Sequence, residues 1–135
     1  MGPLAVVLLL AEAASAPAKA APWKHIAHHE KPGGVGASVY IDPHRVTRKG
    51  DQVDYWDRVT LDAAQVVAPD KPAVKENEMH IRVDCKTMTA TPLSQITYGE
   101  GRVVLSKRTM HAAAQPVPPG SGLYDEVSYV CTHWK

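Results

Sequence analysis

The sequence predicts a single α+β domain: one antiparallel β-sheet of about five or six strands, a C-terminal helix packed on it, and one disulfide. Three observations predict it. Apolar and polar residues alternate with a period of two through the middle of the chain, as half-buried strands require. After a proline-rich stretch the spacing becomes helical. The only two cysteines, Cys85 and Cys131, fall on the best-patterned strand and on that last helix.

The elements follow in order. Trp23, His25 and Ala27 alternate with Lys24, Ile26 and His28, a short strand, and Lys31-Pro32-Gly33-Gly34 closes it with a turn. Ala37, Val39 and Ile41 alternate with Ser38, Tyr40 and Asp42. Asp42-Pro43 ends that strand, because proline donates nothing to a ladder and aspartate closes turns. Val46 to Arg48 begins a further strand, and Lys49-Gly50-Asp51 is a hairpin tip with Gly50 at positive φ. In Gln52 to Leu61, Val53, Tyr55, Val59 and Leu61 share one face, and Trp56 points the other way among Asp54, Arg58 and Thr60. Asp62 to Val74, with Pro69 and Pro72, reads as a loop with a helical turn at Ala63 to Val67.

The clearest strand comes next. Met79, Ile81, Val83 and Cys85 line one face, and His80, Arg82, Asp84 and Lys86 the other. Thr87 to Ile96 is rich in β-favouring threonine, with a bulge or edge expected at Pro92. Tyr98 to Gly101 is a turn, and Arg102 to Lys107 another strand. Gln115 to Gly120 links to a helix capped by Ser121, with Asp125 and Glu126 in its early turns where the dipole favours them. Leu123, Val127, Val130 and Trp134 form its apolar face, and Cys131 adjoins that face.

The beginning of the chain predicts export. Pro3 to Ala11 is an apolar run of signal-peptide length, too short to span a bilayer. Pro3 and the lack of a polar face argue against a buried core helix. Residues before the run carry no Lys or Arg, a departure from the usual signal pattern. Pro17 disfavours cleavage after Ala14-Ser15-Ala16, so Ala18-Lys19-Ala20 is the expected site. The division is therefore residues 1–20 as signal peptide and 21–135 as the domain. No cysteine lies directly after the apolar run, so no lipid anchor is expected, and no other run is long enough to cross a membrane.

The chain has ordinary globular composition, 44% apolar and 21% charged, with a formal charge of +1. Its basic residues are interleaved with acidic ones, which argues against nucleic acid as a partner. Phenylalanine is absent, so aromatic packing falls to Trp and Tyr. In an oxidising compartment two cysteines suggest a bridge. A free thiol pair and half of a metal site are the alternatives, and two distant cysteines without Cys-x-x-Cys make a poor zinc pattern.

His25, His28 and His29 are the candidate metal or haem ligands, since clustered imidazoles suit zinc, copper or haem iron. Against that stands a solvated strand and loop, and neither a metal nor a cofactor is assigned. Asp54, Asp57, Asp62 and Asp84 include possible acid–base pairs, but a solvated polar face accounts for them better. No serine has a nucleophile-elbow context. No catalytic residue is assigned, and a buried Asp/His pair in a concave pocket would be the sign of an enzyme. Tyr55 and Trp56 fit either a recognition surface or packing.

In sum these pieces resemble the bacterial surface-adhesin protein E-like family. The residues that carry the resemblance are Trp23, then Val39-Tyr40-Ile41-Asp42 with Val46, then Arg48-Lys49-Gly50 before Val53-Asp54-Tyr55-Trp56. Ile81-Arg82-Val83-Asp84-Cys85, Pro118-Pro119-Gly120-Ser121 and Val130-Cys131 complete it. The resemblance implies a small exported domain with an antiparallel sheet and a C-terminal helix, and it implies surface adhesion to host matrix and plasma proteins. The reading is an exported, non-enzymatic binding or structural module whose partner is another envelope or extracellular protein. The alternatives are a periplasmic metal- or haem-binding protein using the N-terminal histidines, and an uncharacterised soluble enzyme.

Overall fold

The computed structural model describes residues 23–135. The expected signal peptide, residues 1–20, lies outside the described residues. Eight strands form one antiparallel sheet: β1 (Lys24–His29), β2 (Ala37–Ile41), β3 (Thr47–Lys49), β4 (Gln52–Gln65), β5 (Val74–Asp84), β6 (Thr89–Tyr98), β7 (Val104–Thr109) and β8 (Gln115–Pro116). One helix, α1 (Gly122–His133), follows. The main path runs β1-β2-β4-β5-β6-β7, and the short strands β3 and β8 pair with β4 and β6. The expected class is therefore present, with two more strands than the upper expectation. Both extras arise because β4 and β6 are long enough for one edge to hold two partners in succession.

The two long hairpins position everything else. Gly50 turns β3 into β4 at φ 64, a conformation side chains disfavour. Pro92 interrupts β6 as expected: Ile81 pairs with Pro92 and His80 with Ser94, leaving Leu93 as the extra residue of a bulge.

Three expectations need correction. No helical turn forms at Ala63 to Val67. β4 continues extended to Gln65, which pairs with Val74, and the Asp62 N–H donates to the Gly36 carbonyl at 2.9 Å. Strand β7 starts at Val104, because Arg102 ends a short 3-10 turn (Glu100–Arg102) at φ 60 and sends its side chain to Glu76 and Glu78. Cys85 lies just past β5, as the first residue of the β5–β6 turn, with its N–H donating to the Asp51 carbonyl at 2.8 Å.

The core fills the space between one sheet face and α1. Ile41, Val53, Tyr55, Ile81, Val83 and Ala90 from the strands meet Val117, Val127 and Val130. Ser121 caps α1, its Oγ accepting the Tyr124 N–H at 3.1 Å. Two ties hold the other end of the helix. Cys131 is bridged to Cys85, with Cα atoms 5.7 Å apart. Arg48, reaching across from β3, donates to the carbonyls of Cys131 and Trp134. A cation at a helix C-terminus satisfies orphan carbonyls and complements the dipole. Among the described residues no helix is long and apolar enough to cross a membrane.

Candidate functional site

Strand parity separates two surfaces. The face opposite α1 collects the residues of β4 and β5 that alternate away from the core, and there cations and aromatic rings interleave. The Trp56 and His80 rings, directly paired across β4 and β5, stack with centroids 5.0 Å apart and planes 7° apart. The Arg45 guanidinium sits 4.7 Å from the Trp56 centroid and 5.5 Å from that of Trp23, and Arg58 lies 4.3 Å from Trp23. Such cation–π contacts hold rings and charges in a fixed order.

The chain conformation explains why Arg45 lies there. Buried Asp42 accepts the Arg45 Nε–H at 2.6 Å and the His44 N–H at 2.9 Å, so the turn after β2 aims Arg45 back over the sheet. Arg58 bonds Glu78 at 3.1 Å, Arg102 bonds Glu76 at 2.9 Å and Glu78 at 3.1 Å, and Arg82 grips Asp54 through two bonds of 2.9 Å. Tyr98 donates to Glu78 at 3.1 Å and is covered by Arg102. Burial pushes the Tyr98 hydroxyl pKa up, with Glu78 acting in the same direction. Burial holds the His80 pKa below its ordinary value, and Arg82 and Arg45 add to that against the pull of Asp54.

The other surface is a pocket of about 440 Å³ between the sheet and the start of α1. Val39, Val59, Met79, Ile81, Pro92 and Leu123 make its walls apolar. Asp57 and Glu126, each 5% exposed, bring carboxyl groups to it. Tyr55 donates to Glu126 Oε2 at 2.6 Å. Asp57 Oδ1 is buried without a hydrogen-bond donor among the described residues. Burial raises the pKa of both carboxyls. The Glu126 charge and a hydrogen bond to Glu126 raise Asp57 further, whereas accepting from Asp57 and Tyr55 works against the rise at Glu126. The two carboxyls therefore act as a pair that shares a proton.

The structure distributes the histidines over both surfaces. A bulge at Ile26 puts His25 and His28 on one side of β1 and His29 on the other. His25 packs on Tyr40, with centroids 5.0 Å apart. His28 bonds Asp62 at 2.9 Å, and that bond, with the Asp62 and Glu30 charges, raises its pKa against the opposing effect of desolvation. His29 lines the pocket beside Gly122. Among the described residues no group of three or more His, Cys, Asp or Glu is arranged to hold a metal ion. Asp54 is tied to Arg82, and Asp84 accepts the N–H groups of Thr87 and Lys86, which lower its pKa. Of the four aspartates weighed from the sequence, Asp57 alone lines the pocket, and His29 shares that pocket with it.

The sequence places Glu126 in the early turns of α1, where the dipole favours an acidic residue, and says nothing there of a site. Glu126 lies three residues after Leu123 and four before Val130, and that spacing puts it on the apolar face. Arg45 and Asp42 carried no signal beyond the turn, since their role depends on a ring two strands away.

A sequence model of the surface-adhesin protein E family matches residues 23–132. Among solved structures, crystal form II of Haemophilus influenzae protein E is 17% identical, with 71% of this chain and 81% of that chain covered and a TM-score of 0.54. Protein E from non-typeable Haemophilus influenzae is 15% identical, with 88% and 80% covered and a TM-score of 0.54. At these identities the two structures show a shared fold. Curated proteins give no significant sequence match. With its residues 23–132 matched, this chain belongs to the surface-adhesin protein E family.

Proposed function

We propose that this chain is an exported, non-enzymatic binding module that docks another envelope or extracellular protein through the sheet face opposite α1. The observation that carries the reading is the ordered stack of Arg58, Trp23, Arg45, Trp56 and His80. Trp, Tyr and Arg dominate binding energy at protein interfaces, and rigid rings lose little entropy on docking. Family membership supports adhesion, and the apolar run at Pro3 to Ala11 supports export.

The test is capture of envelope and extracellular-matrix proteins by the full chain and by a Trp56→Ala, Arg45→Ala variant. Capture by the parent with at least a tenfold loss in the variant supports the reading. Capture that survives in the variant sinks the assignment to this face, and clean negatives from both sources remove adhesion. Fractionation with mass analysis tests export, the expected product beginning at Ala21.

An enzyme has one observation in its favour, the proton-sharing carboxyl pair Asp57 and Glu126 in a pocket that also holds His29. No Ser, Thr, Cys or Lys lines that pocket among the described residues. Hydrolytic activity abolished by Glu126→Gln would replace the binding reading.

A further inference from the structure

The pocket beneath α1 makes a second, independent site. Its volume of about 440 Å³ falls in the range of small-molecule sites. Its walls are aliphatic, supplied by β2, β4, β5, β6 and the first turn of α1. A small set of polar groups interrupts them: His29, Asp57, Asn77, Gln115 and Glu126. Among the described residues no Lys or Arg lines it. The Asp57 side chain is nine-tenths buried, faces the pocket and leaves Oδ1 without a donor. Tyr55 supplies a single hydrogen bond to Glu126 and none to Asp57.

We propose that this pocket binds a small apolar molecule carrying one ammonium group, the ammonium donating to Asp57 and Glu126 and the apolar body lying against Val59, Met79 and Leu123. The argument is one of complementarity. An apolar body replaces water on aliphatic walls, which favours any hydrophobic guest. The carboxyls then select among guests. A carboxylate guest meets two acidic groups with no Lys or Arg among the described wall residues to pair with it, and it is repelled. An alcohol offers one donor. An ammonium offers three donors and a positive charge, and it satisfies Oδ1 together with the Glu126 carboxyl. Such charge-assisted bonds are stronger than neutral ones, more so in a water-poor pocket. The pair keeps its shared proton, so its single negative charge is balanced by the single positive charge of the ammonium.

This site lies on the opposite side of the sheet from the Trp56 stack, so its failure leaves the adhesive reading untouched, and the reverse holds too. The experiment measures binding to the full chain by calorimetry with three matched probes: 4-phenylbutylamine, 4-phenylbutan-1-ol and 4-phenylbutyrate. The expected order is amine, then alcohol, then acid, with the amine at least tenfold tighter than the alcohol. In Glu126→Gln and in Asp57→Asn the amine should fall to the level of the alcohol, while alcohol binding persists. A second readout needs no variant: the Met79 methyl resonance should shift on adding the amine to the parent protein. Equal binding of the three probes, binding of none, or a Met79 resonance that stays fixed at saturating amine overturns the proposal. So does an amine preference that survives both substitutions.

Discussion

Tyr55 on β4 and Glu126 on α1, 71 residues apart, are joined by a buried hydrogen bond of 2.6 Å. It is the polar counterpart of the apolar contact between helix and sheet, and it holds Glu126 against Asp57. The pair makes stability depend on pH. Burial raises both carboxyl pKa values. A group whose folded pKa is raised contributes stability that is full below its unfolded value, about 4 for a carboxyl, and is lost as pH rises through the folded value. The parent is therefore expected to lose stability from mildly acid toward alkaline pH. Asp57→Asn should flatten that decline and melt higher at the alkaline end, by about 1–3 kcal/mol for a buried group left unsatisfied. Melting curves across pH for both proteins check it. A parent that gains stability over that range relative to Asp57→Asn contradicts the assignment.

The bridge between Cys85 and Cys131 closes a loop with a sequence separation of 46. The chain-entropy account assigns about 4 kcal/mol to a loop of this length. Denaturant midpoints with and without reductant should differ accordingly, and Cys85→Ala with Cys131→Ala should reproduce the reduced protein. An unchanged midpoint would show that the bridge does not stabilise the fold.

Arg48 holds the last carbonyls of α1. Arg48→Met keeps most of the stem and removes the charge and its donors. The expected cost is about 1–2 kcal/mol, the range for a favourable, partly buried charge at a helix end. Amide exchange should speed up in the last turn of α1 and stay slow in β4 and β5. A uniform acceleration would mean that the helix end is not held locally by Arg48.

Asp42 aims Arg45 at Trp56. Asp42→Ala removes a buried acceptor with two donors and should cost about 1–3 kcal/mol. Tryptophan fluorescence should shift as well, because Arg45 leaves the ring. Loss of stability without a spectral change would separate the turn from the stack.

Much of this architecture was legible because alternation is a local signal. β2, β5, the Gly50 hairpin and the Ser121 cap follow from neighbours in sequence. The helical turn expected at Ala63 to Val67 rested on local propensity, which the β4–β5 pairing overrides. The site was less legible. Parity is enough to place Asp57 with Val53, Tyr55 and Val59, and helical spacing to place Glu126 with Val130, yet the aspartates read as a solvated polar face because acidic residues are most often solvated. Only the packing of α1 against β4 brings the two carboxyls together. The Trp56–His80 stack likewise depends on the β4–β5 register, which neither strand specifies alone.

The bridge also has a topological consequence. Strands β6, β7 and β8 all lie inside the ring closed by Cys85 and Cys131. A single proteolytic nick anywhere in that interval leaves one covalently joined molecule rather than two fragments. Release of a piece demands a second cut or a reductant. The ring thus turns a single backbone cut into damage from which the native sheet can close again.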